Sequence, residues 1–257
     1  MSSLSALQML LRRERLVLAV CLASVVALAW FYVLTGAGMD MSMPGMVMKP
    51  MPWSPATALL MFAMWLVMMI AMMVPSAAPT VLLFSTIARK QAATGLPSVG
   101  AGIFLAGYLV VWAGFSLVAT LLQWGFEVVG LLSMDMSVNS QVFGGTLLLA
   151  AGLYQFTPLK AACLKQCQSP LLFFSRHWRA GAAGAFRMGL QHGTYCLGCC
   201  WFLMALLFLG GIMNLLWIAG LAVYIGLEKL LPNARWLSRV AGGGLTLAGV
   251  VMLALAV

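Results

Sequence analysis

Charge is what this chain has least of. Charged side chains make up 7% of its 257 residues, against about 25% in an ordinary soluble domain. Acidic residues are scarcest, with five Asp and Glu against fourteen Lys and Arg, a net charge of +9. Hydrophobic residues reach 63%, and the mean hydropathy is +1.04. A soluble fold of this size could not hide that much apolar surface. A soluble enzyme, a disordered chain and a secreted disulfide scaffold are therefore excluded. Also missing is any G-x-x-x-x-G-K-[ST] phosphate loop or soluble nucleotide domain, which speaks against a self-powered pump. No heptad or solenoid period is present. The positive surplus does not indicate nucleic acid. So few basic residues read more simply as topology signals at membrane edges.

What is present is long apolar runs. The chain reads as all-α, a polytopic membrane bundle of about seven transmembrane helices over roughly 16–35, 56–76, 98–124, 140–157, 190–210, 212–231 and 239–257. A β-barrel would show short alternating segments instead. The first run follows Arg12, Arg13 and Arg15 and is longer than a usual signal-peptide core, so we expect a retained anchor. If the spans alternate, thirteen of the fourteen basic residues fall on one side and only Lys49 on the other. That asymmetry predicts a cytoplasmic N-terminus and a multi-pass protein of the inner (cytoplasmic) membrane. The chain 1–257 reads as one integral membrane domain. It carries a Met-, Pro- and Gly-rich outer loop at 36–55 and a long cytoplasmic Cys-containing loop at 158–189. Within the latter, Leu171-Leu172-Phe173-Phe174 and Arg176-His177-Trp178-Arg179 suggest an interfacial segment.

Twenty methionines stand out. Met39, Met41, Met43, Met46, Met48 and Met51 crowd into the outer loop, where Pro44, Pro50 and Pro52 prevent a regular helix. Thioether sulfur suits Cu(I) and needs no deprotonation, so the loop reads as a copper collector or as an apolar flap on the bilayer. A second group, Met61, Met64, Met68, Met69, Met72 and Met73, lies in the second span. Met64, Met68 and Met72 share one helix face. They form either a thioether relay or adaptable packing. Pro75 and Pro79 are expected to interrupt that helix and free backbone carbonyls.

Five of the six cysteines cluster in the second half of the chain; Cys21 stands alone and reads as a small buried hydrophobe. Cys163 and Cys167 are spaced i, i+4 after Pro158, with Lys160 and Lys165 nearby to favour thiolate. Cys196, Cys199 and Cys200 follow His192 at spacings that place an imidazole and two thiols on one helix face. His plus Cys is a soft-metal set. Thiol–disulfide redox and plain packing are the alternatives. We expect the two cysteine groups to meet in space. Glu228 ends the sixth span and either pairs with Lys229 in water or turns inward as a ligand or proton acceptor. Asn214 reads as a helix cap, and His177 as an ordinary interfacial histidine.

The motifs Met72-Met73-Val74-Pro75-Ser76, Tyr154-Gln155-Phe156-Thr157-Pro158-Leu159-Lys160, Cys196-Leu197-Gly198-Cys199-Cys200-Trp201, Gly211-Ile212-Met213-Asn214 and Glu228-Lys229-Leu230 make the chain resemble an uncharacterised bacterial family of predicted metal-binding integral membrane proteins. The likeness runs from about residue 60 to 235. It implies a multi-span helical protein with a metal at the Cys cluster, and no reaction. Copper, favoured over zinc, rests on the Met loop outside the shared region. The reading is a membrane protein that moves or hands on Cu(I), in the bilayer and with a membrane or soluble metal-handling partner. The alternatives are a thiol or metal-dependent membrane oxidoreductase, or an assembly subunit with a structural metal.

Overall fold

A computed structural model describes residues 2–35, 53–93, 99–132, 139–231 and 234–256, the first of these from residue 16 onward with side chains. The described residues form helices: α1 (Ser2–Leu34), α2 (Pro55–Ala92), α3 (Ala101–Val128), α4 (Gln141–Tyr154), α5 (Pro158–Gln168), α6 (Pro170–His177), α7 (Gly181–Ala205), the single turn α8 (Leu207–Gly210), α9 (Leu215–Leu230) and α10 (Arg235–Ala254). Among the described residues, five segments are long and apolar enough to cross a membrane: Leu16–Leu34, Pro55–Ala92, Ala101–Val128, Gly181–Gly210 and Arg235–Ala254. α4 and α5 pass that test only together, as a span bent by 65°. Outward faces are apolar, with Val110, Leu117, Leu121, Leu247 and Val250 all exposed. In water such faces would be driven inward; against lipid they need no cover.

Several expected boundaries move. The helix expected at 212–231 is α9, only 16 residues, about 24 Å long against a hydrocarbon core of about 30 Å. Asn214 starts it, its side chain accepting from Trp217 N at 3.2 Å. Leu231, the residue before Pro232, turns extended, as a residue before proline prefers. The segment 158–189 is not a loop. Thr157 and Pro158 supply an N-cap and a first-turn proline for α5, Pro170 gives α6 its first-turn proline, and α7 begins at Gly181. Proline in a first turn removes an N–H that has no helical partner anyway. The helix of α4 therefore does not continue through Pro158; a new one starts there. The expected interfacial segment is α6, and it is more than interfacial. Phe173 and Phe174 are buried and pack with Phe84 and Phe104 of α2 and α3. Cys21, expected inside, is exposed on α1.

α2 also departs from expectation. It runs unbroken through Pro75 and Pro79. Pro75 cannot donate to Ala71 O, four residues back. That carbonyl instead accepts from Trp30 Nε1 of α1 at 3.1 Å. A neighbouring helix thus supplies the donor that the proline lacks, which is how a membrane helix tolerates proline.

α3 and α7 cross at glycines. A Cβ on Gly189 would stand 2.0 Å from Phe104 O, and one on Gly107 2.2 Å from Phe186 O. Only hydrogen fits at either position, so the two backbones touch. This close crossing lays α7, with its cysteines, against Tyr108 of α3.

Candidate functional site

Four thiols gather where α5 meets α7. Cys196, Cys199 and Cys200 are buried on α7, and Cys167 on α5. Cys167 lies beside the thiols of Cys196 and Cys199. Cys200 makes the same two contacts. The four sulfurs thus close a ring. Cys163 lies one turn before Cys167 and packs under Gly198, where an added Cβ would stand 2.8 Å from its Sγ. The i, i+4 spacing within α5 aims both of its thiols at α7. The structure therefore brings the two cysteine groups together, and all five thiols are unbridged.

The ring has a cationic cap. Lys229 of α9 is 4% exposed. Its Nζ lies 2.9 Å from Cys196 Sγ, 3.4 Å from Met73 Sδ and 3.7 Å from Cys200 Sγ. Tyr108 Oη sits 3.1 Å from Cys196 Sγ and 3.2 Å from the carbonyl of Met73. The Cys199 and Cys200 thiols each donate to Cys196 O at 3.0 Å. Among the described residues, no group of three or more His, Cys, Asp or Glu is arranged to hold a metal ion.

His192 is buried one turn before Cys196, ringed by Phe104, Tyr108 and Phe173 at centroid distances of 6.0, 5.8 and 5.3 Å. Its Nδ1 has no hydrogen-bond partner. His177 stacks on Phe173 at 5.1 Å and its Nδ1 pairs with Phe173 O.

Glu228 does turn inward, the second of its two expected dispositions, and there it meets a lysine. Its Oε1 is bonded by Lys160 Nζ at 2.6 Å, Tyr224 Oη at 3.0 Å and Ser238 Oγ at 2.5 Å. Lys160 also donates to Gln155 Oε1. This is a fully buried ion pair, both side chains 1% exposed, that joins α5, α9 and α10 beside the thiols. It leaves Lys229 to the sulfurs instead of to Glu228. Two of the basic residues read as edge signals, Lys160 and Lys229, are thus interior, each with its own partner. A lysine two residues after a helix-starting proline, or in the last turn of an apolar helix, is the sequence signal that such a role leaves.

Met64, Met68 and Met72 are buried, as are Met61, Met69 and Met73. All six belong to the same contiguous buried cluster as the five thiols. Met73 is the one in contact with Lys229 at the ring. At the other end of the row, Met61 Sδ accepts from Gln123 Nε2 at 3.6 Å, and Gln123 also donates to Glu127. Met39, Met41, Met43, Met46 and Met48 lie outside the described residues.

A family model described as PpoB2, copper chaperone, matches residues 62–252. No curated protein and no solved structure matches the chain.

Proposed function

The chain belongs to the PpoB2 copper-chaperone family, and from that premise we propose that it takes up Cu(I) within the membrane and hands it on through sulfur. One observation carries the reading. A monovalent cation, the Lys229 ammonium, already lies among three soft donors, Met73 Sδ, Cys196 Sγ and Cys200 Sγ. Thioether and thiol sulfur suit Cu(I), and an ammonium beside the thiols favours the thiolate form that binds it. The family description names copper, and nothing supports zinc.

In this reading copper is cargo. The Met-rich loop from Met39 to Met48 collects it on the outer side. The buried row Met64, Met68 and Met72 passes it inward. Each four-residue step rises about 6 Å, short enough for one flexible thioether to reach the next. Met61 to Met73 spans about 18 Å on the same rule. Met73 delivers to the ring of Cys167, Cys196, Cys199 and Cys200, with Cys163 and His192 behind it. Thiolate binds Cu(I) more strongly than thioether does, so transfer runs downhill without ATP. As Cys199 and Cys200 lose their protons, they lose their bonds to Cys196 O and are free to turn toward the ion. Glu228 is not a ligand here. With Lys160 it fixes α5 against α9, and so holds Cys167 in the ring.

The test is elemental analysis of the reduced, detergent-purified chain beside a Cys196→Ser/Cys199→Ser variant and one lacking residues 39–51. Near-stoichiometric copper is expected in the parent and in the loop deletion, and none in the Cys variant. Zinc in place of copper would overturn the reading. So would the absence of metal together with a disulfide among these thiols, which would point to thiol redox chemistry.

A further inference from the structure

A cavity of about 540 Å³ opens between the α4–α5 junction and the start of α10. It is bordered on α5 by Leu164, Lys165 and Gln168, and neither Cys163 nor Cys167 lines it. The copper reading makes no use of it. Its lining holds Lys160, Lys165, Arg235 and Arg239 and no acidic residue. The charge of Lys160 is answered by Glu228. The other three have no ion-pair partner among the described residues. Three uncompensated cations around one cavity repel one another and hold an attractive field for an anion.

A second observation points the same way. Gln155 lines the cavity, is 5% exposed, and accepts from Lys160 Nζ at its Oε1. Its Nε2 is buried with no hydrogen-bond partner. An orphaned buried donor is costly, and the group that would satisfy it is an acceptor. Two arginines four residues apart on one helix face offer planar forks that match phosphate oxygens. The volume is within the range of small-molecule sites and far exceeds a bare phosphate. Phe156 and Leu164 supply apolar wall for the remainder.

We propose that this cavity is a binding site for a phosphate ester, its phosphate held by Arg235, Arg239 and Lys165 with Gln155 Nε2 as a neutral donor. A lipid headgroup and a soluble phosphoester present the same chemistry. The experiment separates them, and it uses the copper-free full chain in nonionic detergent so that the outcome is independent of copper. Glycerol phosphate, a short-chain phosphatidylglycerol and the matching phosphatidylcholine are titrated, with binding read from the melting temperature and by native mass spectrometry. The same titrations are run on Arg235→Gln/Arg239→Gln and on Lys165→Gln, all exposed positions. Phosphatidylglycerol is expected to bind and to raise the melting temperature by several degrees. Its dissociation constant should rise on the order of tenfold in Lys165→Gln, and more in the double variant. Binding of glycerol phosphate as well would assign the site to phosphoesters generally; binding of phosphatidylglycerol alone would assign it to a lipid headgroup. The proposal is overturned if neither anion binds, if phosphatidylcholine binds equally well, or if both variants bind like the parent.

Discussion

The buried pair Lys160–Glu228 permits a sharp energetic test. Both side chains are 1% exposed and the N–O distance is 2.6 Å. At an effective dielectric of about 20, that separation gives an attraction of about 6 kcal/mol. Removing both ions from water costs several kcal/mol each, so the pair contributes little net stability. Breaking it from one side is different, because the remaining charge keeps its desolvation cost and loses its partner. Glu228→Gln retains an oxygen for Ser238 and Tyr224 and removes only the charge. Lys160→Met retains most of the length of the stem. Each single variant should lose about 3–5 kcal/mol, and the double variant should stay within about 1 kcal/mol of the parent. At about 2–4 °C per kcal/mol, the single variants should melt on the order of 10 °C low and the double close to the parent. Thermal unfolding of all four proteins in one detergent measures this as a double-mutant cycle. Singles within about 1 kcal/mol of the parent, or a double as unstable as the worse single, would refute the buried pairing.

Three further outcomes follow from the geometry. Trp30→Phe should cost about 1–3 kcal/mol by stranding Ala71 O, and Pro75→Ala in the same chain should recover most of it, since the backbone N–H restored at that position can then bond the carbonyl; an additive pair in thermal unfolding would contradict this. Gly189→Ala sets a Cβ 2.0 Å from backbone, whereas Gly198→Ala meets the movable Cys163 Sγ at 2.8 Å. The first should therefore prevent folding or cost more than about 3 kcal/mol, and the second about 1–3 kcal/mol; an equal loss of melting temperature would count against the glycine contact. Met64→Leu/Met68→Leu/Met72→Leu keeps volume and should change stability by less than about 1.5 kcal/mol per site. Cu(I) should then reach the thiols at least tenfold more slowly at unchanged affinity, followed by stopped-flow competition with a coloured Cu(I) chelator. An unchanged rate would make the methionine row packing alone.

The sequence by itself determined the solvent and the class of fold. So few charges and such long apolar runs leave helices in lipid as the way to satisfy every backbone group. It also determined that thiols would lie on shared helix faces, because the 3.6-residue period fixes Cys196 with Cys200 and Cys163 with Cys167. The cap at Asn214 was legible for the same local reason. What spacing cannot carry is which faces meet. The ring closes through contacts between Cys167 and residues some thirty positions later in the chain, made possible by the short helix that begins at Pro158. The assignment of charges was likewise tertiary. Along the chain, Glu228 adjoins Lys229 and both look like boundary residues. Successive residues on a helix point about 100° apart, so one faces Lys160 and the other faces Met73 and Cys196. Local sequence also marked Pro75 as a break, whereas the helix holds because Trp30, 41 residues from the stranded carbonyl of Ala71, supplies the donor that proline lacks. A local signal states what a residue cannot do for its own helix; only the packed neighbours decide whether something else does it instead.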